Sequence, residues 1–70
     1  MSLQLTNKHQ LVLQYLAEGK SIQQIATDLS MSRRMIDIYI MQAKDILNAR
    51  TSPEAVAKAM KFEIIDIQAA

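Results

Sequence analysis

The segment SIQQIATDLSMSRR, residues 21–34, has the pattern of a short helix, a tight connection and the capped start of a second helix. Its apolar residues recur at helical spacing and form a single stripe. They are Ile22, Ile25, Ala26 and Leu29. Ser21 can cap the first helix, and Gln24 can complete a capping box with it. Ser32 is the cap candidate for the second helix, so the segment predicts a helix-turn-helix unit.

Two arginines, Arg33 and Arg34, fall in the first turn of the second helix of this unit. A helix N-terminus carries partial positive charge and disfavours each cation by about 0.3–1 kcal/mol. A bound phosphate would relieve that repulsion. The simpler interpretation is an ion pair with Asp37, which lies within one turn of both arginines. The two interpretations are compatible, because such a pair can open when an anion binds.

Further helices are predicted on either side of this segment. The first begins after Thr6, a cap candidate, and ends near Gly19, a residue suited to a helix exit. The helix that starts after Ser32 is long and extends to Leu47 or Asn48. Its core stripe comprises Ile36, Ile40, Ala43 and Leu47.

A fourth helix opens at residues 51–54. Either Thr51 and Glu54 form a capping box, or Ser52 is the cap and Pro53 takes the first helical position. Its apolar face comprises Ala55, Val56, Ala59 and Met60. The sequence therefore predicts an all-α, four-helix domain. The only strand-like stretch, residues 62–67, is short and is interpreted as a frayed helix end or an arm.

Length and composition limit the chain to one domain, residues 1–70, with a core at 5–60 and a C-terminal tail at 61–70. A domain this small is marginally stable alone, so we expect it to oligomerise. No apolar run reaches about 18 residues, so we expect no membrane span and a cytoplasmic location. The net charge of +1 is a weak sign of nucleic-acid binding.

Catalysis and metal binding have no support in the residue pattern. Cysteine is absent, and no Ser-His-Asp, paired-carboxylate or phosphate-loop arrangement occurs. The single histidine, His9, lies on the core side of the first helix, beside Val12, Leu13 and Leu16. We interpret it as a core-edge residue with an unknown partner. The protein is therefore expected to be neither an enzyme nor dependent on a metal or cofactor.

The chain resembles the DNA-binding domain of LuxR/GerE-type transcriptional regulators over about residues 5–60. Short motifs at the family's spacing carry the resemblance: Leu5-Thr6, Val12-Leu13, Leu16-Ala17-Glu18-Gly19-Lys20-Ser21, Ile25-Ala26, Leu29, Ser32, Leu47, Arg50 and Glu54-Ala55-Val56. A promoter-reading region of sigma factors is similar to much of this pattern. Residues 50–56 favour the LuxR/GerE interpretation.

This resemblance implies a homodimeric regulator that binds double-stranded DNA in a sequence-specific manner. The candidate phosphate contacts are Lys20, Arg33, Arg34, Lys44 and Arg50. The candidate base-facing residues on the recognition helix, the third helix, are Asp37, Ile38 and Met41. The family implies dimerisation through the fourth helix, where the candidate residues are Val56, Ala57, Ala59 and Met60.

The alternative is a degenerate helix-turn-helix that binds a regulatory protein or sensory domain, with weak or no DNA binding. In this chain Met35 and Tyr39 replace more polar residues of the family's recognition helix, and His9 replaces a glutamate of the first helix. The low net charge and the apolar pair Ile38 and Met41 favour this alternative.

Overall fold

The computed structural model describes residues 5–65, which form four α-helices and no strand. The helices are α1 (Asn7–Ala17), α2 (Ile22–Asp28), α3 (Arg33–Ile46) and α4 (Ser52–Lys61). The predicted all-α helix-turn-helix fold is confirmed, with α2 and α3 as its two helices. Residues 62–65 of the strand-like stretch form turns, and the rest of that stretch lies outside the described residues. No helix in residues 5–65 is long and apolar enough to cross a membrane.

All four helices start at a serine or threonine whose hydroxyl accepts a hydrogen bond from a backbone N–H in the first turn. These N-caps are Thr6, Ser21, Ser32 and Thr51. The predicted capping box of Ser21 and Gln24 is present. At α4 the cap is Thr51 rather than Ser52, but the Glu54 carboxylate accepts from the Arg50 N–H at 2.9 Å instead of completing a box with Thr51.

All four helices also end in the same way, on a residue in the left-handed region. These residues are Gly19, Ser30, Asn48 and Glu63, with φ of 87°, 55°, 54° and 58°. The following N–H returns to a carbonyl five residues earlier, as Met31 does to Ala26 at 2.9 Å. This is the Schellman geometry, in which the residue after the turn often packs on the helix it closes. Met31, Ala49 and Ile64 pack in this way on the core.

Two apolar clusters hold α3 in place. The first joins α1, α2 and α3 through Val12, Ile25, Ala26, Ile36 and Ile40. The second joins α1, α3, α4 and the segment after α4 through Leu13, Ala43, Ala55, Ala59 and Ile65. The predicted inward residues of α3 are therefore buried, except that Leu47 is half-buried. Ile64 and Ile65, which the sequence assigned to a tail, belong to this packing.

Candidate nucleic-acid interface

The side of α3 opposite the two clusters carries the predicted base-facing residues. Asp37 is exposed, and Met41 is 60% exposed. Ile38 is half-buried. The structure thus brings the three residues together on one outward surface, which we call the outer face of α3.

Arg33 and Arg34 lie exposed in the first turn of α3, which contains no acidic residue. The ion pairs found within residues 5–65 are Lys20–Asp28 at 2.9 Å and Lys58–Glu54 at 3.4 Å. The alternative pairing of either arginine with Asp37 is therefore not formed. Two unpaired guanidinium groups stand beside the free N–H groups of a helix N-terminus, where an anion would be stabilised.

Lys20, a predicted phosphate contact, already has partners within the domain. Its ammonium donates to the Asp28 carboxylate at 2.9 Å and lies 4.4 Å from the centre of the Tyr15 ring. The hydrogen bond to Asp28 is the main cause that raises the pKa of Lys20 above its ordinary value. Lys20 thus joins the end of α1 to the end of α2, and a phosphate contact would have to displace its present partner.

The other two predicted phosphate contacts lie beyond the middle of α3. Lys44 is half-buried in the last turn of α3, and Arg50 is exposed in the connection to α4. Neither side chain forms an ion pair within residues 5–65. Because α3 has 14 residues, its ends are about 20 Å apart. Unpaired cations therefore lie at both ends of α3, and Arg50 follows in the connection to α4.

A hydrogen-bonded group around His9 ties α1 to α3, and the sequence did not predict its partners. His9 is 6% exposed, and its Nδ1 lies 3.0 Å from the backbone nitrogen of Thr6 and 2.8 Å from the Thr6 hydroxyl. Its Nε2 lies 2.8 Å from Oε1 of Gln42 on α3. The ring also meets Tyr39 edge-on, at 5.2 Å between ring centres. The core-edge position is confirmed, and His9 serves as the capping-box partner of Thr6.

The spacing of Thr6 and His9 was the available signal for this cap, since a box partner lies three residues after the N-cap. Residues 5–65 contain no group of three His, Cys, Asp or Glu side chains that could hold a metal ion. The polar partners of His9 are Thr6 and Gln42.

An apolar groove of about 310 Å³ runs between the end of α1 and the outer side of α4. Its lining includes Leu16, Ala17, Pro53, Val56, Ala57 and Met60. Three of the predicted dimer residues therefore share one accessible surface. The sequence did not predict that Leu16, Ala17 and Pro53 belong to this surface. Leu16 was expected in the core and Pro53 at the start of the helix, and Ala17 had no expected role.

Ala59 does not belong to this surface. Its side chain is fully buried in the second cluster with Leu13 and Ala43, so the prediction that it contacts a second copy is wrong. The physical reason is its position on α4, where Ala55 and Ala59 both face the core, one turn apart. The small side chains let α4 approach α1 and α3 closely within one molecule.

The connection from α3 to α4 is held by two charged residues of α4. The Glu54 carboxylate accepts from the Arg50 N–H at 2.9 Å and pairs with the Lys58 ammonium at 3.4 Å. Lys58 also donates to the Asn48 carbonyl at 2.7 Å. The Arg50 hydrogen bond, followed by Lys58, lowers the pKa of Glu54 below its ordinary value.

Replacing Glu54 with glutamine is expected to destabilise the domain at pH 7 but not in acid. A carboxyl whose pKa is lowered on folding stabilises the fold above its unfolded pKa, and that contribution is lost as pH falls through the folded pKa. Urea unfolding of both proteins at pH 7 and pH 3 checks this. A difference between them that stays the same at pH 3 would contradict a role for the carboxylate charge.

The fold is that of a helix-turn-helix domain. The second helix of its helix-turn-helix unit, α3, begins with two arginines that form no ion pair within residues 5–65. The family model of the bacterial regulatory proteins of the LuxR family, GerE, matches residues 3–59, which span α1 to α3 and most of α4. The chain belongs to this family. No curated protein matches it individually.

Proposed function

We propose that this LuxR-family domain binds double-stranded DNA in a sequence-specific manner, as a homodimer, and thereby regulates transcription. The observation that carries the proposal is the pair Arg33 and Arg34, unpaired at the capped N-terminus of α3. Phosphate is the anion that such a position accommodates, through both the guanidinium groups and the backbone N–H groups.

In the proposed complex α3 lies in the major groove, which is wide enough for a helix. Arg33 and Arg34 at one end of the helix, and Lys44 and Arg50 towards the other, contact phosphates. The outer face of α3 then meets the base edges. Ile38 and Met41 pack on thymine methyl groups, and the Asp37 carboxylate accepts from a cytosine amino group. Asp37 also repels the phosphate backbone, so it acts mainly by rejecting other bases.

The homodimer forms through the groove surface of α4, with Val56, Ala57 and Met60 in contact with a second copy. Pro53, Leu16 and Ala17 extend the contact area, as they line the same groove. A two-fold arrangement places two copies of α3 in successive major grooves, with half-sites about 34 Å apart.

Wild-type protein is expected to sediment as a dimer at tens of micromolar, and Val56→Glu as a monomer. Val56 is half-buried at the groove, so a carboxylate there would have to lose water on dimerisation. Lys61→Glu is the control, because Lys61 is exposed on α4 outside the groove lining. A wild-type monomer at this concentration would contradict the proposed dimer.

Binding-site selection from random duplexes, followed by titration with salt, tests the DNA-binding proposal. We expect an enriched motif with two-fold symmetry and affinity that falls as salt rises, because phosphate contacts release counterions. A selection that enriches no motif would contradict sequence-specific binding.

A protein-binding role is the second candidate, and the 60% exposure of Met41 beside Ile38 favours it. An apolar pair on the outer face of α3 suits a regulatory protein or sensory domain as well as thymine methyl groups. The net charge of +1 also gives little general attraction to DNA. The same selection separates the two candidates, since this role requires no enriched sequence.

A further inference from the structure

We infer that Gln42 is a specificity-determining residue that meets DNA as a hydrogen-bond donor only, and that His9 positions it in this state. The inference rests on the proposed function and adds a base contact that the sequence did not predict. Three features determine one another in turn: the position of the His9 ring proton, the orientation of the Gln42 amide, and the groups that Gln42 leaves free for a ligand.

The first feature is the protonation of the His9 ring. A backbone N–H can only donate, so the Thr6 N–H at 3.0 Å makes Nδ1 of His9 an acceptor without a proton. The Thr6 hydroxyl, 2.8 Å away, can donate to the same nitrogen. The neutral ring then carries its proton on Nε2.

The second feature is the orientation of the Gln42 amide. Because Nε2 of His9 carries the proton, it donates across 2.8 Å, and the atom it meets on Gln42 is the carbonyl oxygen Oε1. This bond joins residues 33 positions apart in the chain. It therefore holds the amide in one orientation, which the amide alone would not select.

The third feature is the set of hydrogen-bonding groups that Gln42 leaves free for a ligand. Gln42 is exposed although its oxygen is engaged, and its amide nitrogen has no hydrogen-bond partner within residues 5–65. It lies one turn after Ile38, beside Met41, at the margin of the outer face of α3. Its two N–H groups are therefore free to donate from this margin.

A donor-only amide selects a base edge that differs from the usual glutamine preference. A free glutamine pairs with adenine by accepting from N6 and donating to N7. With Oε1 held by His9, Gln42 cannot accept from N6, whereas guanine presents two acceptors, O6 and N7, in the major groove. We therefore expect guanine rather than adenine at the base pair that Gln42 meets.

Two substitutions test the Gln42 donor and the His9 ring that positions it independently. Gln42→Glu keeps an oxygen for the His9 N–H but presents an acceptor outwards, so the preference at this base pair should change from guanine to cytosine. His9→Gln keeps an amide that can complete the cap with Thr6 but lacks the second ring nitrogen, so it releases Gln42. In that variant the preference should move from guanine towards adenine.

The experiment is binding-site selection on wild type, Gln42→Glu and His9→Gln, with the affinity ratio between single-base variants of the selected site measured by competition. The wild type should favour guanine over adenine at one base pair by roughly ten-fold. Gln42→Glu should instead favour cytosine over guanine there, and His9→Gln should reverse the ratio of guanine to adenine. Far-ultraviolet circular dichroism verifies that each variant is folded, and the ratio between bases cancels any general loss of affinity from the added charge.

An unchanged motif in both variants, or a loss of affinity that is equal for all sequences, would overturn the inference while leaving the proposed function intact. If the wild type itself selects no motif, the proposed function fails and this inference fails with it. A variant that does not fold is replaced by Gln42→Ala, which should remove the guanine preference and leave the rest of the motif unchanged.

Discussion

Replacing Ile36 with alanine is expected to lower the free energy of unfolding by about 2–5 kcal/mol. Ile36 is fully buried in the cluster that joins α1, α2 and α3, so the substitution leaves a cavity where the three helices meet. Small domains have about 5–15 kcal/mol of stability in total. The loss should therefore remove a large fraction of the total stability and lower the midpoint of urea unfolding accordingly.

Ile38→Ala is the matched control, since it removes the same atoms from the same helix two residues later. Ile38 is half-buried on the outer face of α3, so we expect a loss of roughly 1 kcal/mol. Urea unfolding followed by circular dichroism measures both variants. Equal losses would show that the outer face of α3 is covered by other parts of the protein, and would contradict its assignment to DNA.

Replacing both Arg33 and Arg34 with alanine is expected to weaken DNA binding equally for all sequences. If each arginine contacts one phosphate, the slope of log affinity against log salt should flatten by about 0.9 per lost contact. The fold should be retained, because both side chains are exposed and neither forms an ion pair within residues 5–65. Relief of repulsion at the start of α3 should stabilise the helix slightly.

The control for this experiment is the double variant Lys8→Ala and Lys61→Ala. It changes the net charge by the same amount at two other exposed positions, at the start of α1 and the end of α4. Its salt dependence should resemble that of the wild type. If both double variants flatten the slope equally, the arginines contribute only general charge, and their assignment as phosphate contacts is wrong.

Sequence predicted those features of the fold that depend on neighbours within one helical turn. The caps at Thr6, Ser21 and Ser32 each need a hydroxyl and an N–H three residues later, and both are visible in the sequence. The inward stripe of α3 follows from helical spacing in the same way. The exit at Gly19 was recognised because glycine favours a left-handed backbone, whereas Ser30 at the equivalent place after α2 gave no such signal.

Interactions between distant helices could not be read from the sequence. Helical spacing places Ala57 and Ala59 on α4, but only the packing of α1 and α3 against it determines that Ala59 is buried and Ala57 exposed. The pairing of Lys20 with Asp28 likewise depends on where α1 and α2 end relative to each other. The partner of His9 is 33 residues away, so its identity needed the three-dimensional arrangement.

The shared geometry of the helix exits has a consequence for how this domain can evolve or be engineered. Ser30, Asn48 and Glu63 occupy a backbone region that, for residues other than glycine, costs of the order of 1 kcal/mol. Glycine at any of them would remove that cost, and none of the three side chains lies in the packed core. The free energy of unfolding is therefore lower than this backbone would allow with glycine at these positions. Destabilising changes on the outer face of α3 can be compensated at the loops, without altering that proposed binding surface.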